Sequence, residues 1–347
     1  MTEPRLVAVA TAVPPYELRQ ADVIERSMRI FDRRRSDIDR LIPVYSNAGI
    51  ETRYSCVPLE WYEREHGWGE RNDLYIRNAV SLLADAAENC LARASCRFED
   101  IDALVTVSTT GISTPSLDAL LMERLPFRRN VTRLPVFGLG CAGGVLGLAR
   151  AAALARAQPG KRVLFLVVEL CALTFRRMDH SKSNIIATAL FGDGAAAALL
   201  DSDGPGPTIA AWGEYTWPDS LDVMGWNIAD DGLGVLFSRD IPNLVRTRFR
   251  PAVDDFLSTL GLAVADVDAF VCHPGGAKVI AALEEAFALP DGALDEARAV
   301  LRKYGNMSAA TVLFVLERMM SRMSRRYLLS ALGPGFTAGF LTLESAA

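Results

Sequence analysis

The chain has 347 residues, of which 50% are hydrophobic and 23% are charged, and its formal net charge is −5. This length allows a large core and suggests two domains or two fused halves. The acidic balance gives no general attraction to nucleic acid or to an anionic membrane, so an anionic ligand would need a local basic patch.

The cysteines and the amino-terminal residues indicate the cellular compartment of the protein. Six cysteines are scattered along the chain: Cys56, Cys90, Cys96, Cys141, Cys171 and Cys272. Their scatter argues against a disulfide framework, and the absence of a Cys-x-x-Cys pair argues against a metal site. The amino-terminal residues do not resemble a secretory signal, and no apolar run reaches membrane-spanning length. We therefore expect a cytoplasmic protein with no transmembrane segment, no metal and no nucleic-acid partner.

Apolar runs alternate with helical patterns in the first half of the chain. Strands are predicted at residues 6–11, 103–108 and 162–168, and helices at 20–35 and 72–94. Residues 185–190 lead into a tight turn at 191–194 and then into the small apolar residues 195–200. Continuous apolar strands that alternate with helices are typical of parallel pairing in a sheet covered on both faces. The basic run Arg33–Arg35 is more typical of a solvated helix face than of a phosphate site.

The second half repeats this α/β pattern. Segment 201–207 is polar and rich in Gly and Pro, so we predict two halves, residues 1–203 and 204–347. Helices are predicted at 242–260, 275–286, 296–303 and 308–323, a strand at 269–272, and a hairpin with strands 327–330 and 337–344. Both halves carry reactive residues after their strands.

Cys141 follows an apolar run and Gly138 and Gly140, and a helical pattern begins directly after it. This order predicts a strand, a tight turn and a buried helix with Cys141 at its N-terminus. Free N–H groups and the positive end of the helix dipole favour the nucleophilic thiolate there. The glycines would let the backbone approach a bound substrate closely. The alternative is a small residue buried in a Gly/Ala-rich turn.

His273 and Asn306 also stand at the ends of predicted elements. His273 follows the strand 269–272, at the position where α/β sheets usually bind ligands. Asn306 precedes a helix, where an N-cap role alone would explain it. Together with Cys141 they could supply a nucleophile, an imidazole partner and an oxyanion donor. We predict that these three residues are catalytic.

Five segments resemble the type III polyketide synthases, the relatives of chalcone synthase. They are Gly-Cys-Ala-Gly-Gly (140–144), Ala-Leu-Phe-Gly-Asp-Gly (189–194), Cys-His-Pro-Gly-Gly (272–276), Tyr-Gly-Asn-Met-Ser (304–308) and Gly-Pro-Gly (333–335). The resemblance covers nearly the whole chain. It implies the thiolase-type fold, a layered αβαβα arrangement of two pseudo-repeated α/β halves. It also implies a homodimer that has no prosthetic group and takes coenzyme A thioesters as substrates.

The resemblance also implies roles for single residues. Cys141 would take the starter acyl group from coenzyme A, and His273 and Asn306 would bind the malonyl-CoA carbonyl while carbon dioxide leaves. Phe191 matches the gatekeeper between the coenzyme A tunnel and the cavity. The other substrate-binding positions that it implies are Thr109, Thr110, Thr114, Cys171, Thr174, Ser308 and Gly335. Arg53, interpreted as an exposed cation, is a candidate contact for a coenzyme A phosphate, although Asn47 and Glu51 stand where plant enzymes carry cations.

Two segments, 110–115 and 224–227, are more similar to the bacterial alkylpyrone and alkylresorcinol synthases, which accept long acyl starters. Small residues at Thr114 and Cys171 could open a tunnel for an alkyl chain. We therefore expect malonyl-CoA to be added repeatedly to a long fatty acyl starter, followed by cyclisation to an alkylpyrone or alkylresorcinol. The starter could also arrive on an acyl carrier protein.

Three alternatives stay open on the sequence alone. One is a ketoacyl synthase III-like enzyme that condenses only once. Another is a Cys-His-Asn hydrolase, which is disfavoured because such proteases are usually secreted and disulfide-bonded. The third is a non-catalytic acyl-binding protein.

Overall fold

The computed structural model describes residues 3–31, 38–322 and 324–345. The strands are β1 (Arg5–Ala12), β2 (Tyr16–Arg19), β3 (Thr52–Ser55), β4 (Ala103–Val107), β5 (Thr132–Val136), β6 (Val163–Leu170), β7 (Asp193–Asp201), β8 (Thr208–Thr216), β9 (Met224–Ala229), β10 (Gly232–Phe237), β11 (Ala269–Cys272), β12 (Arg326–Gly333) and β13 (Thr337–Glu344). Nine of them form one sheet in the order β11-β12-β13-β8-β1-β7-β6-β4-β5. Two small sheets pair β2 with β3 and β9 with β10.

The large sheet consists of two groups of strands joined at one point. β1 pairs with β8 only through Arg5 and Thr208. In the first group β4 runs parallel to β5 and β6, whereas β7 pairs antiparallel with β1 and β6. In the second group β11 and β12 are parallel, whereas β13 is antiparallel to β12 and β8. Parallel pairing was therefore predicted correctly only around β4 and β11, and the sheet as a whole is mixed.

The helices complete five layers. They are α1 (Gln20–Ile30), α2 (Ile38–Ser46), α3 (Trp68–Arg93), α4 (Leu117–Arg124), α5 (Gly143–Ala157), α6 (Lys182–Leu190), α7 (Ile241–Leu244), α8 (Arg250–Ser258), α9 (Ala277–Phe287), α10 (Asp295–Tyr304) and α11 (Thr311–Met319). α3 packs on β1, β6 and β7, while α5 lies between the two strand groups and contacts β4, β6, β12 and β13. α9 covers the other outer face, where the ring of Phe287 lies 5.2 Å from that of Phe270. The predicted αβαβα arrangement is confirmed.

Small residues at the start of α5 allow this close packing. A Cβ atom on Gly144 would lie 2.2 Å from the carbonyl oxygen of Ala309, and one on Gly147 would lie 2.6 Å from the side chains of Phe165 and Val107. Atoms at such distances overlap, so only glycine fits at these positions without displacing the neighbouring chain. The Gly-Gly-Val-Leu-Gly sequence therefore places α5, and Cys141 before it, at the centre of the molecule.

Several predicted elements have different limits in the structure. Within the described residues α1 ends at Ile30, and the run Arg33–Arg35 lies outside them. The helix predicted at 242–260 is interrupted by a π-helical turn, Val245–Phe249, and the one predicted from Ser308 begins with a 3₁₀ turn. The predicted division after residue 203 falls between β7 and β8. No helix within the described ranges is long and apolar enough to span a membrane.

Candidate active site

One cavity of about 630 Å³ lies at the junction of the two strand groups, and Cys141, His273 and Asn306 all line it. Cys141 comes from the turn before α5, which contacts both groups. His273 follows β11 of the second group, and Asn306 lies between α10 and α11. Residues that are far apart in the sequence are thus brought to one cavity, as the pattern of strand and helix ends predicts.

The turn that carries Cys141 is a short 3₁₀ segment, Gly140–Ala142, that leads into α5. Gly140 has φ +46°, and a Cβ on it would lie 2.5 Å from Cδ of Pro334. Glycine is therefore needed here because Pro334 occupies the space beside it. From the sequence, we expected that space to lie against a bound substrate.

The thiol of Cys141 is harder to ionise than the sequence suggests. Burial raises the pKa of Cys141 to about 11, a hydrogen bond from Ser308 opposes that rise, and the nearby charge of Glu169 adds to it. The raised pKa of Cys141 is the opposite of the shift predicted for a helix N-terminus, because burial disfavours the charged thiolate. The sulfur needs a base that accepts its proton.

His273 is the base available in the cavity. Its backbone N–H donates to the carbonyl oxygen of Ser330 at 2.8 Å, which fixes the residue at the end of β11. The side chain is buried, and burial lowers the pKa of His273 to about 4, so the imidazole is neutral near pH 7. Neither ring nitrogen has a partner among the described residues. A neutral ring can therefore offer one donor and one acceptor to a molecule in the cavity.

Asn306 is held rigidly by both its backbone and its side chain. Its N–H donates to the carbonyl oxygen of Leu190 at 2.8 Å, and its own carbonyl accepts from the N–H of Gly192 at 3.0 Å. Oδ1 accepts from the N–H of Ser308 at 2.8 Å, and Nδ2 donates to the carbonyl oxygen of Gly275 at 3.1 Å. These partners fix which end of the amide is oxygen, and they leave one amide hydrogen for a substrate.

Glu169 is a buried acid near the nucleophile that the sequence analysis did not include in the site. It is fully buried at the end of β6, and Oε2 accepts from the N–H of Thr109 at 3.0 Å and from Oγ1 of Thr110 at 2.8 Å. Oε1 has no partner among the described residues. Burial raises the pKa of Glu169 to about 7. An acidic residue inside an otherwise continuous apolar strand is the sequence signal that could have identified it.

Several predicted substrate-binding residues lie close to Cys141. Oγ1 of Thr109 accepts from the N–H of Gly140 at 3.2 Å, and Thr110 binds Glu169. Ser308 is buried, has φ +47° and contacts the thiol. Gly335, with φ +70°, follows the proline that packs on Gly140. Their roles toward a substrate stay predictions.

A second, smaller cavity of about 60 Å³ lies between α1 and α6 and is lined by Cys171, Thr174 and Phe191. The ring of Phe191 makes edge-to-face contacts with Trp226, at 6.3 Å between centroids, and with Phe237, at 5.7 Å. Phe237 lines the larger cavity. Phe191 therefore lines the smaller cavity and contacts a residue that lines the larger one, and its role as a gatekeeper stays a prediction.

Arg53 is not the exposed cation that the sequence analysis predicted. Its side chain is only 2% exposed, and its Nη atoms donate to the carbonyl oxygens of Thr188 at 2.6 Å, Ala189 at 3.0 Å and Phe191 at 3.1 Å. A further bond goes to Oε1 of Gln20. Burial lowers the pKa of Arg53 to about 10. The guanidinium caps the last carbonyls of α6 and, in this structure, presents no surface to a phosphate.

Thr114 lies away from both cavities of its own chain. It is exposed in the loop between β4 and α4, beside Pro115. Cys171 lines the smaller cavity, whereas Thr114 lines neither, and the tunnel for an alkyl chain stays a prediction.

Comparisons with known proteins agree with this geometry. Residues 2–204 match the family model of the N-terminal domain of chalcone and stilbene synthases, and residues 191–345 match that of the C-terminal domain. The chain is 39% identical over 354 residues to a candidate chalcone synthase of Bacillus subtilis (strain 168), covering 97% of both chains. It is also 39% identical over 349 residues to a 1,3,6,8-tetrahydroxynaphthalene synthase of Streptomyces peucetius, covering 98% of this chain and 92% of the other.

A solved structure gives the same result. The crystal structure of 1,3,6,8-tetrahydroxynaphthalene synthase from Streptomyces coelicolor A3(2), a bacterial type III polyketide synthase, matches with a TM-score of 0.93 at 28% identity, over 99% of this chain and 100% of that one. Family models that together span nearly the whole chain, and a fold that brings Cys141, His273 and Asn306 to one cavity, lead to one conclusion. The chain belongs to the chalcone and stilbene synthase family, the type III polyketide synthases, which are acyltransferases that perform decarboxylating Claisen condensations.

Proposed function

We propose that this synthase loads a long fatty acyl starter on Cys141, extends it repeatedly with malonyl-CoA and cyclises the product to an alkylpyrone or alkylresorcinol. The observation that carries the proposal is the second cavity. It extends from Cys171 and Thr174 between α1 and α6. Its lining is mainly apolar, with Leu18, Val23, Ile30, Phe31 and Ala187, although polar residues such as Arg26, Ser27 and Asn184 also reach it. Such a lining suits an alkyl chain, whose burial is favourable by about 0.8 kcal/mol per methylene group.

The entrance of the larger cavity suits the phosphates of coenzyme A. Arg40 on α2, Arg239 before α7 and Lys278 on α9 all line it. Within the described residues none of the three forms an ion pair, whereas most of the arginines in this part of the chain do. Lys182 lines the same cavity. Cations from separate elements around one entrance attract phosphate groups, and they take the role that the sequence analysis gave to Arg53.

The loading step starts from a neutral thiol and a neutral imidazole. The proton of the Cys141 thiol moves to the free ring nitrogen of His273, and the sulfur attacks the carbonyl carbon of the acyl-CoA. The coenzyme A thiolate leaves and takes that proton back from the imidazolium. An acyl-enzyme thioester and free coenzyme A result, with His273 neutral again.

The condensation step uses the hydrogen-bond donors opposite the sulfur. The N–H of the neutral His273 and the free amide hydrogen of Asn306 bind the carbonyl oxygen of malonyl-CoA. When carbon dioxide leaves, the electron pair of the broken bond forms an enolate whose oxygen these donors stabilise. One such donor typically contributes about 3 kcal/mol to transition-state stabilisation. The enolate carbon then attacks the acyl-Cys141 thioester and expels the Cys141 thiolate.

Incubation with malonyl-CoA and acyl-CoA starters from acetyl to palmitoyl, together with a small aromatic starter such as benzoyl-CoA, followed by mass analysis, tests the proposal. We expect products whose mass increases with the starter, each containing two or more malonyl-derived units. Products restricted to small aromatic starters would contradict the long-chain assignment, and one malonyl unit per product would favour a ketoacyl synthase III-like reaction.

Substitutions separate the catalytic roles. Cys141→Ser should abolish acyl loading, whereas Cys96→Ser, a change outside both cavities, should not. His273→Ala and Asn306→Ala should mainly suppress malonyl-CoA decarboxylation, with His66→Ala as the control because His66 stacks on Trp61 outside both cavities. Full decarboxylation in a doubly substituted His273/Asn306 variant would contradict the assigned roles.

A second candidate function comes from the Streptomyces relatives. The S. peucetius protein, 39% identical to this chain, is named as a 1,3,6,8-tetrahydroxynaphthalene synthase. If this chain made that product, malonyl-CoA alone would give it. Added fatty acyl-CoA would then appear in no product, so the same starter series separates the two candidates.

We also propose that the chain acts as a cytoplasmic homodimer, and that an acyl carrier protein could deliver the starter. β5 is an edge strand whose residues 132–135 are all exposed, and the neighbouring Phe137 is 59% exposed. Ile112, in the loop that carries Thr114, is 48% exposed. An unpaired strand edge with apolar side chains favours association with a second copy. A monomeric mass in light scattering at micromolar concentration would contradict the dimer.

A further inference from the structure

Helix α2 forms one wall of the larger cavity at its entrance. Arg40, Pro43 and Val44 line the cavity from this helix, and Asn47, which also lines it, follows the helix. The helix has nine residues, and Pro43 inside it lacks the backbone N–H that would hydrogen-bond within the helix. Helices this short are marginal in water by themselves, so α2 takes its position from contacts with neighbouring elements.

Tyr45 is the polar side chain that α2 buries. Two residues of α2, Ile38 and Tyr45, are buried, and both are 0% exposed. The phenol oxygen of Tyr45 lies 3.1 Å from Oγ of Ser27 on α1 and 3.2 Å from the carbonyl oxygen of Ile185 on α6. It also bonds to Oγ1 of Thr188. One buried hydroxyl therefore joins the entrance wall to two neighbouring helices.

The main chain of Tyr45 is held at the same place. Nε2 of Gln20 donates to the carbonyl oxygen of Tyr45 at 3.0 Å and to that of Ala189 at 3.1 Å. Oε1 of Gln20 accepts from Arg53, which caps the last carbonyls of α6. Phe191, the predicted gatekeeper, follows α6 directly. Buried hydrogen bonds therefore fix the entrance wall to the segment that leads to Phe191.

We propose that Tyr45 is a positioning residue for coenzyme A binding, because its hydroxyl keeps α2, and with it Arg40, at the entrance. Without the hydroxyl, Ser27 and Thr188 lose a buried hydrogen-bond partner, which costs free energy unless water replaces it. Water that enters beside the ring moves α2 away from α6. Arg40 then leaves the position that suits a phosphate of coenzyme A.

The reacting groups lie on other elements and should keep their places. α6 is also held by Asn306, whose N–H donates to the carbonyl oxygen of Leu190 at 2.8 Å. Cys141 lies before α5, and His273 follows β11. Loss of the Tyr45 hydroxyl should therefore weaken the binding of coenzyme A much more than it slows the chemical step.

The inference rests on the proposed function of the entrance, and two substrates keep the two apart. The first is malonyl-CoA, and the second is the malonyl thioester of N-acetylcysteamine, which has the same reacting group but none of the phosphates. KM and kcat for the release of carbon dioxide are measured with the full-length protein for both substrates. Tyr327→Phe is the control, because Tyr327 is also buried and its phenol oxygen accepts from the N–H of Ser324 at 3.1 Å, outside both cavities.

We expect the wild type to have a lower KM for malonyl-CoA than for the short thioester. Tyr45→Phe should raise the KM for malonyl-CoA at least about fivefold, with a much smaller change in kcat and in the KM for the short thioester. Tyr327→Phe should keep the wild-type ratio of the two KM values.

A wild type with equal KM values for both substrates contradicts the proposed entrance, and the inference falls with it. If the wild type distinguishes them, a Tyr45→Phe variant with the wild-type ratio overturns the inference alone, and so does an equal rise of both KM values. If Tyr45→Phe melts well below Tyr327→Phe, Thr188→Val, which keeps the volume and removes one partner of the phenol, should change the ratio in the same direction. An unchanged ratio in Thr188→Val would then overturn the inference as well.

Discussion

Replacing Glu169 with glutamine tests the energetic effect of a buried carboxylate beside the nucleophile. The amide oxygen can accept from the N–H of Thr109 and from Oγ1 of Thr110, as Oε2 does in the wild type. The amide nitrogen takes the position of Oε1, which has no partner among the described residues. The substitution therefore removes the charge and keeps both hydrogen bonds.

The magnitude follows from the pKa. Burial raises the pKa of Glu169 from 4.5 to about 7, so the folded protein binds this proton more tightly than the unfolded chain does. The stability that the group contributes is fully present below pH 4.5, decreases as the pH rises from 4.5 to 7 and is lost above that. A difference of about 2.5 pH units corresponds to about 3 kcal/mol. At pH 8 we expect Glu169→Gln to exceed the wild type in free energy of unfolding by up to about 3 kcal/mol.

Urea unfolding of both proteins at pH 5 and pH 8, followed by tryptophan fluorescence, measures this difference. At pH 5 the carboxyl is protonated in the folded state, so the two free energies of unfolding should lie close together. His273, whose pKa is lowered by burial, has the opposite pH dependence, but it is present in both proteins and cancels in the comparison. A stability difference that is equal at both pH values, or a variant that is less stable at pH 8, would refute the reasoning.

The remaining predictions concern packing and the coenzyme A entrance. Gly144→Ala should lower the free energy of unfolding by about 1–3 kcal/mol, because its Cβ would overlap the carbonyl oxygen of Ala309. Gly69→Ala is the control: it lies on a helix with open space around it, so the change should be neutral or stabilising. Equal melting temperatures would contradict this. Arg53→Met should lower the free energy of unfolding by about 2 kcal/mol or more, because it removes the donor to the buried carbonyls at the end of α6. The KM for malonyl-CoA should stay unchanged. A raised KM would instead support the phosphate contact. Arg239→Ala should raise that KM several-fold at low salt and less at high salt, and a salt-independent KM would contradict a phosphate contact.

The catalytic residues could be predicted because each is a reactive side chain at the end of an element. His273 directly follows a short apolar run that forms β11 with the predicted limits, and Cys141 stands between two glycines and a helical pattern. Strand ends and helix starts are local features, and a local pattern can locate them. The arrangement of the sheet could not be predicted in this way, since antiparallel partners such as β7 and β13 are chosen by packing between distant segments.

Arg53 shows why burial was harder to predict than position. A lone arginine between Thr52 and Tyr54 is usually exposed, because burying a charge is costly unless it has partners. The partners here are the carbonyls of residues 188–191, more than a hundred residues away. The same limit applies to the thiol of Cys141: the helix N-terminus is visible in the sequence, but the depth of its burial is not.

The hairpin β9–β10 was missed although a signal was present. Asp230-Asp231-Gly232 stands at its turn, and Gly232 has φ +119°, a conformation that favours glycine. Such a turn between two short runs is typical of a hairpin. The two runs do not alternate clearly between apolar and polar residues. Part of the hairpin packs on Phe191, whereas the apolar side chain of Ile228 is 77% exposed.

The short pairing between the strand groups, in which Arg5 and Thr208 are the one pair in register, has a consequence for inactivation. The imidazole follows β11 of the second group, whereas the sulfur lies in the turn before α5, a helix that contacts both groups. A small relative rotation would separate them while every helix and strand stayed intact. Under mild heating, turnover should therefore vanish before ellipticity changes. Mixing a Cys141→Ser chain with a His273→Ala chain should restore nothing, because each polypeptide has to assemble its own complete reaction centre.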